Sequence, residues 1–446
     1  MKQPLARRRR GKEFSLGLLA VIITGGGYLL VALSSNAALP PDLWVFLAVV
    51  LGLFVVAHLA LRRFAPRADS TLLPLALMLN GIGYFTIARL DRDLPAHHRH
   101  LAPIQAVWTA VAVGAFVLTL MVVRRVRILE RYRYTFLMLG IAALLLPLVP
   151  GVGAEINGAR LWVHIGPVNF QPGEAAKVLV VIFFAAYLVE KRELLAAGSR
   201  RLGRLMLPDP KHLGPLLLAW SFSILIMVRQ KDLGSSLLFF AVFSAMLYMA
   251  TERAAYMLAG FVMFVSGATV AYQIFGHVRD RVTTWIDPWV VAQAKGFQLV
   301  QSLFAFGTGG FAGTGLGLGS PQKIPNASTD FVFSAIGEEL GLLGTVAVII
   351  GFLLLIGTGF RIAVQADRPF SQLFAAGLTT ILGVQTFIII GGVTRLIPLT
   401  GITLPFISYG GSSLVANFVI LALLLRISDE TAEHSESEAA RVAASA

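Results

Sequence analysis

The chain has 446 residues, of which 56% are hydrophobic and 14% charged, and this composition excludes an ordinary soluble domain in favour of an integral membrane protein. The formal net charge of +13 is explained by basic residues that flank membrane spans, so it does not indicate a nucleic-acid partner. The chain contains no cysteine, which excludes disulfides, thiol nucleophiles and cysteine-ligated metals.

Apolar runs of roughly 16–23 residues recur along the chain, and this length is sufficient to cross the ~30 Å hydrocarbon core of a bilayer. The predicted spans are residues 14–34, 43–61, 72–88, 105–123, 134–150, 174–190, 214–229, 233–250, 255–276, 333–360, 371–392 and 412–426. The sequence lacks the alternation of apolar and polar residues that is typical of a β-barrel. It therefore predicts an all-α, polytopic membrane bundle with about 10–12 transmembrane helices.

Lys and Arg are concentrated, roughly two to one, in the loops on the same side as the N-terminus, which predicts that both termini are cytoplasmic. In this orientation residues 277–332 form a long extracytoplasmic loop. We expect four parts: a basic N-terminus (1–13), a first group of helices (14–130), a core (131–427), and a tail (428–446). The tail is rich in Glu, Ser and Ala, and is predicted to be disordered and cytoplasmic.

Several polar side chains lie at the predicted outer face. Glu174 and Lys177 are three residues apart at a helix start and can pair, either as a structural ion pair or as an ammonium group poised for a phosphate. Asp232 either caps the helix that begins near residue 233 or takes part in binding. Arg395 either extends its charged end to the membrane surface or contacts an anionic, lipid-linked substrate.

The long loop begins with an amphipathic pattern. Val278, Val282, Trp285 and Ile286 recur at helical spacing, while residues 279–281 occupy other faces, which predicts an interfacial helix. The glycine run from 307 to 319 follows. It lacks the strand and helix of a nucleotide-binding fold, so we expect flexible backbone close to a substrate instead.

Asp330 follows this loop, directly before a span that also carries Glu338 and Glu339. A carboxylate at the mouth of a span is costly, so we expect it to have a function, and a general base is the function that fits. The two glutamates must face the bundle interior or a wet cavity. Either they continue a line of polar groups down one face of the helix, or the helix kinks at Gly337. His97, His98 and His100 lie in a short loop that explains them without a metal.

Motifs spread over residues 130–427 occur in the order typical of one family. They are Gly158-Ala159 with Trp162, then Phe170 to Lys177, Gln230 to Gly234, Thr329 to Phe333, Gly337 to Gly341, and Leu404 to Ser412. On these residues the chain resembles the SEDS (shape, elongation, division and sporulation) family, to which RodA and FtsW belong. The family has ten spans, so we expect the two additional spans to lie before residue 130. Gly173 and Lys231 depart from the family pattern, which has Ser and Pro there.

The resemblance implies a peptidoglycan glycosyltransferase that polymerises lipid II at the outer face of a bacterial cytoplasmic membrane, beside a class B penicillin-binding protein. It implies that Asp330 is the catalytic base. The substrate-binding candidates are Arg160, Glu174, Lys177, Asp232, Arg395, Ser408 and Ser412. A divalent cation, Mg²⁺ or Mn²⁺, can assist with the diphosphate, and its ligands are unknown. Two alternatives remain open at this point, a lipid II flippase and a non-catalytic scaffold of the cell-wall synthesis complex.

Overall fold

The computed structural model of the chain describes residues 5–36, 43–94, 100–156, 159–166, 168–197, 200–202, 205–207 and 210–445. The helices are α1 (Leu5–Asn36), α2 (Leu43–Phe64), α3 (Leu72–Arg92), α4 (Leu101–Val122), α5 (Arg127–Arg131), α6 (Arg133–Leu145), α7 (Pro172–Ala197), α8 (Pro210–Arg229), α9 (Leu233–Thr251), α10 (Ala254–Ile274), α11 (Gly276–Ile286), α12 (Phe297–Gly309), α13 (Val332–Gln365), α14 (Pro369–Val393) and α15 (Gly411–Ser445). The strands are β1 (Gly153–Ile156), β2 (Ala159–Ile165), β3 (Val168–Phe170), β4 (Arg200–Leu202) and β5 (Leu205–Leu207).

The fold is that of a polytopic helical membrane protein, as predicted. Within the described residues, ten helices are long and apolar enough to cross a membrane. The two remaining predicted spans, 134–150 and 214–229, coincide with shorter apolar helices, Arg133–Leu148 and Leu217–Arg229. The sequence did not predict the two small sheets. One is antiparallel with the order β1-β2-β3, and the other is the pair β4-β5.

The chain forms two compact units. The first comprises Met1–Arg124, Gly276–Gly359 and Gln385–Ala446. Within it α1 packs along α3, and α4 packs along both α2 and α15. The rings of Phe116 in α4 and Phe418 in α15 meet edge to face, with their centroids 6.5 Å apart. Large apolar side chains therefore form the contact between these helices.

Arg426 of α15 joins the ends of two other helices of this first unit, α2 and α4. Its guanidinium donates to the carbonyl oxygens of Phe64 at 2.6 Å, Leu120 at 2.5 Å and Val123 at 2.8 Å. These carbonyls lie at the ends of α2 and α4, where no intrahelical donor is available. The carboxylate of Asp429 lies 3.3 Å from the guanidinium and balances its charge. Both charged side chains are buried.

Residues 428–445 continue α15 to Ser445, whereas the sequence predicted a disordered tail. The physical reason is a set of contacts with Arg67, in the loop between α2 and α3. Its guanidinium lies 3.5 Å from Glu433 and 2.8 Å from Glu436, and its backbone N–H donates to Asp429 at 2.7 Å. Composition alone could not reveal these partners.

The second unit comprises Arg125–Phe275 and Phe360–Val384. Its central helix is α7, which packs against α6 and α9, and residues 180–188 of α7 are all buried. Proline at the first position of α7 suits the helix start, because its fixed φ is helical and its missing N–H would have had no partner. The side-chain amide of Gln230 donates to the carbonyl of Leu144 at 2.5 Å, which ties the end of α8 to α6.

We predict that Arg426→Met destabilises the protein by about 3 kcal/mol or more, because it removes the guanidinium that balances the buried charge of Asp429 and the donors to three carbonyls. The measurement is the thermal unfolding midpoint in detergent, followed by tryptophan fluorescence. Arg441→Met is the control, since Arg441 is an exposed arginine of the same helix. Equal midpoints for the two variants would contradict the role of Arg426.

Candidate active site

Asp330 lies in a turn that leads directly into α13. The carbonyl oxygen of Asn326 closes this turn by accepting from the backbone N–H groups of Thr329 at 3.1 Å and Phe331 at 3.3 Å. Asn326 has a φ of 59°, a left-handed value that asparagine adopts more readily than most residues. Since α13 begins at Val332, the carboxylate stands immediately outside a candidate membrane span.

The loop before α15 holds this turn from the other side. The hydroxyl of Ser408 donates to the carbonyl of Thr329 at 2.6 Å and accepts from the backbone N–H of Leu404 at 2.9 Å. The backbone N–H of Tyr409 donates to the carbonyl of Ser328 at 2.8 Å. Ser408 is buried, and its hydroxyl fixes backbone beside the candidate carboxylate.

Arg281 of α11 lies close to Asp330. A Cβ atom at Gly401 would lie 3.6 Å from both Asp330 Oδ2 and Arg281 Nη2, so the three residues meet at one point. Desolvation by burial raises the pKa of the Asp330 carboxyl to about 6, while the charge of Arg281 and a hydrogen bond from Thr329 oppose the rise. A carboxyl group with this pKa is ionised at neutral pH and is still basic enough to take up a proton.

Sequence analysis did not identify Arg281 as a site residue. The structure confirms the amphipathic helix predicted from His277, since α11 spans Gly276–Ile286. Arg281 Nη1 donates to the carbonyl of Leu399 at 2.8 Å, across a sequence separation of 118 residues. Helical spacing shows which face of α11 carries the arginine, but gives no information on which distant loop that face meets.

Arg395 binds the C-terminal end of α11. Its Nε donates to the carbonyl of Trp285 at 2.9 Å and its Nη2 donates to the carbonyl of Ile286. The indole N–H of Trp285 donates in return to the carbonyl of Arg395 at 3.1 Å. A cation at a helix C-terminus is favourable, so these bonds give Arg395 a structural task that the sequence did not predict.

The two glutamates of α13 bind the backbone that follows the glycine run and a side chain of α3. Glu338 Oε1 accepts from the backbone N–H of Ser320 at 2.7 Å, and Glu339 Oε1 accepts from Arg89 Nε at 2.9 Å. The helix kinks at Gly341, where φ is 63° and ψ is −161°, and not at Gly337 as the sequence suggested. The carboxylates thus connect α13 to neighbouring backbone and to α3.

The predicted site residues fall in both compact units. Those in the first unit are Asp330, Arg395, Ser408 and Ser412, and those in the second are Arg160, Glu174, Lys177 and Asp232. Ser412 is buried in the first turn of α15.

In the second unit, Lys177 Nζ lies 2.6 Å from Glu174 Oε2, which confirms the predicted pairing on the first turns of α7. Both side chains are buried. Asp232 caps α9 by accepting a backbone N–H at 2.9 Å, which matches the structural alternative. Arg160 is exposed on β2 and lies 3.0 Å from Glu155.

The described residues contain no group of three or more His, Asp or Glu side chains arranged to hold a metal ion. His97 and His98 lie outside the described residues, and His100 is exposed immediately before α4. Asp330 has a guanidinium group as its neighbour, which is an unfavourable companion for a cation. This donor set does not fit a resident metal site built by the described side chains alone.

Comparison with known proteins identifies relatives over most of the chain. The family model described as cell cycle protein, which groups FtsW, RodA and SpoVE, matches residues 70–433. The protein named peptidoglycan glycosyltransferase RodA from Mycobacterium tuberculosis is 45% identical over 424 residues, which is 94% of this chain and 90% of that protein. The RodA of Mycobacterium leprae is also 45% identical, over 95% of this chain and 91% of that protein.

Solved structures show the same fold. A chain from a peptidoglycan synthase complex that coordinates polymerisation and crosslinking has a TM-score of 0.65 and 26% identity, covering 82% of this chain and 98% of that chain. The rod shape determining protein RodA of Thermus thermophilus has a TM-score of 0.55 and 26% identity, covering 81% of this chain and 96% of that chain.

We predict that Ser408→Ala loosens the turn that carries Asp330, because the hydroxyl accepts from Leu404 and donates to Thr329. Loss of these bonds costs about 1–2 kcal/mol, which corresponds to roughly tenfold faster hydrogen exchange of the Leu404 amide. Hydrogen–deuterium exchange with mass spectrometry measures this change. Thr394→Val is the control, since the exposed Thr394 hydroxyl bonds only within α14 and the loop exchange should stay at the wild-type rate.

Proposed function

The chain belongs to the FtsW, RodA and SpoVE (SEDS) family of cell cycle proteins, and we propose that it is a peptidoglycan glycosyltransferase that polymerises lipid II with Asp330 as the catalytic base. The observation that supports this assignment best is the Asp330 carboxylate itself. It is partly desolvated, it lies beside Arg281, and hydrogen bonds from two loops fix the backbone around it.

The proposed reaction joins two lipid-linked sugars. Asp330 takes the proton from the 4-hydroxyl of the acceptor sugar as that oxygen attacks the anomeric carbon of the donor. The new C–O bond forms while the bond from the anomeric carbon to the diphosphate oxygen breaks. Undecaprenyl diphosphate leaves with the electron pair of the broken bond. The proton remains on Asp330 until it is released to solvent.

Cationic side chains are proposed to stabilise the negative charge that develops on the leaving diphosphate. Among the described residues, Arg281 is a cationic side chain beside Asp330. Lys177, paired with Glu174, and the exposed Arg160 are proposed substrate contacts of the second unit by itself. Arg395 already donates hydrogen bonds to the C-terminal end of α11. A divalent cation would be bound mainly by the diphosphate oxygens of the substrate.

The location and partner are proposals from topology and from the relatives. We propose, on the basis of the positive-inside distribution, that both termini lie in the bacterial cytoplasm and that Asp330 lies at the outer face of the cytoplasmic membrane. This placement suits a substrate whose sugar is in water and whose polyprenyl tail is in lipid. The partner would be a class B penicillin-binding protein, since one structural relative belongs to a peptidoglycan synthase complex.

The test is reconstitution of the full chain in liposomes that contain labelled lipid II, with a candidate class B penicillin-binding protein. We expect glycan polymer from the wild type and a loss of about 100-fold or more in Asp330→Asn, because this substitution removes the base but keeps the size of the side chain. Asp280→Asn is the control, since Asp280 is a half-exposed carboxylate of α11 paired with Lys295.

A folded Asp330→Asn protein that polymerises at the wild-type rate would refute the assignment of the base. If the wild type binds the partner but makes no polymer, the assignment of glycosyltransferase activity is refuted. Movement of lipid II across the liposome membrane would then have to be measured, because it would indicate the flippase alternative.

The pH dependence of kcat/KM tests the electrostatics of the site, because this ratio reports the pKa values of the free enzyme. A base must be deprotonated to act, so we expect kcat/KM to rise with pH through an acid limb near pH 6. The charge of Arg281 lowers the pKa of Asp330, so Arg281→Met should move this limb to higher pH. Arg279→Met, at an exposed arginine of the same helix, should leave it in place. An acid limb that does not move in Arg281→Met would contradict the electrostatic effect of Arg281 on the pKa of Asp330.

A further inference from the structure

We propose that the first two helices, α1 and α2, form a positioning element that holds the glycine loop (residues 313–319) against α13 and thereby fixes the geometry of Asp330. This inference rests on the proposed function. It goes further because it assigns a task in the reaction to a part of the chain that lies outside the family match.

The helix pair is additional to the family core. The family match begins at residue 70, after α2 ends at Phe64. The solved chain from the synthase complex is 98% covered by only 82% of this chain. A pair of helices retained outside the common core, and packed in the same compact unit as Asp330, needs a physical explanation.

The two helices are joined to each other along their length. Near one end, Glu13 Oε1 lies 3.0 Å from His58 Nδ1, and both side chains are almost fully buried. Near the other end, the rings of Tyr28 and Phe46 are stacked with their centroids 4.1 Å apart. Breaking a buried polar pair is costly, so the pair of helices behaves as one element.

The glycine loop contacts this element directly. Leu316 packs against the cluster of buried side chains contributed by α1, α2 and α3, which consists of Tyr28, Val31, Leu43, Phe46, Phe85 and Ala88. Gly317 has a φ of 81°, and a Cβ atom there would lie 1.8 Å from the hydroxyl of Ser34. The loop backbone therefore approaches α1 more closely than any other residue at 317 would allow.

Arg92 reinforces the same contact from α3. Its Nη1 donates to the carbonyl of Val31 at 2.8 Å, and its guanidinium lies 5.7 Å from the centre of the Tyr28 ring. The last turns of α1 are thus held to α3 at the level of the loop.

The opposite side of the loop is bonded to α13. The backbone N–H of Thr314 donates to the carbonyl of Glu338 at 3.0 Å, and that of Gly315 donates to the carbonyl of Glu339 at 3.0 Å. The backbone N–H of Gly317 also bonds the Glu339 carboxylate, which Arg89 holds from α3. The loop thus lies between α1 and the first part of α13.

This arrangement links α1 to the catalytic carboxylate. Residues 332–340 form the straight part of α13 before its kink, and this part begins two residues after Asp330. The glycine loop has no helix or strand of its own, so its position depends on what it contacts on each side. Displacement of reacting groups by about 1 Å can cost ~100-fold in rate, so a loop that lost its support from α1 would lower kcat.

The test removes each side of the contact separately. Leu316→Ala removes the loop side and Tyr28→Ala removes the α1 side, in the full chain and in liposomes with labelled lipid II. We expect each variant to lower kcat at least fivefold while KM for lipid II stays within twofold. The control is Leu30→Ala, since Leu30 is a leucine of α1 that is 56% exposed, and it should retain wild-type kcat.

The double variant decides whether the two residues act through one contact. We expect Leu316→Ala with Tyr28→Ala to be no slower than the slower single variant, because each alone already breaks the contact. Multiplicative effects in the double variant, or wild-type kcat in both single variants, would overturn the proposal.

Hydrogen exchange separates this proposal from the proposed function. Exchange in residues 313–319 should be faster in Tyr28→Ala than in Leu30→Ala or the wild type, whether or not polymer is formed. Unchanged exchange in Tyr28→Ala would overturn the positioning role even if the wild type polymerises lipid II. If the wild type makes no polymer but exchange is still faster in Tyr28→Ala, the positioning role stands and the assigned reaction is wrong.

Discussion

The irregular backbone of this protein depends on buried or half-buried arginines that donate to carbonyl oxygens. Between apolar helices water is scarce, so each carbonyl outside a regular helix needs a donor from the protein. Arg426 donates hydrogen bonds to three helix-end carbonyls. Arg395 donates to a carbonyl at the end of α11, and Arg281 donates to a carbonyl of the loop before α15. Arg89 donates to the carbonyl of Gly319 as well as to Glu339. Planar guanidinium groups with five donors suit this task better than lysine does.

The same constraint explains why the site is built from loops that cross-link one another. The turn of Asp330 is bonded to the loop before α15, that loop is bonded to Arg281, and α11 is bonded to Arg395. The glycine loop adds a further connection through Glu338 and Glu339. Apart from α11, each of these segments lacks regular secondary structure, and together they satisfy one another's polar groups. A carboxylate held in this way can be partly desolvated without losing its position.

The sequence predicted what local spacing determines. Hydropathy identified the helices, a separation of three residues identified the pair of Glu174 and Lys177, and the cap at Asp232 followed from its place before α9. It missed contacts between distant segments, because no local pattern encodes them. Arg89 meets Glu339 across 250 residues, and Arg67 meets Glu436 across 369 residues. The sequence therefore could not predict the contact of Arg89 with α13 or the helical conformation of the tail.

The basicity of Asp330 is a balance between two opposed effects, and this balance makes it sensitive to geometry. Desolvation raises its pKa and the charge of Arg281 lowers it, with a result of about 6. At an effective dielectric constant of about 20, moving two unit charges from about 4 Å to about 5 Å apart changes their interaction by roughly 0.8 kcal/mol, or about half a pKa unit. Contacts that fix loops to within a fraction of an ångström therefore also set the strength of the base. The positioning role that we propose for α1 therefore extends to the pH at which the protein works.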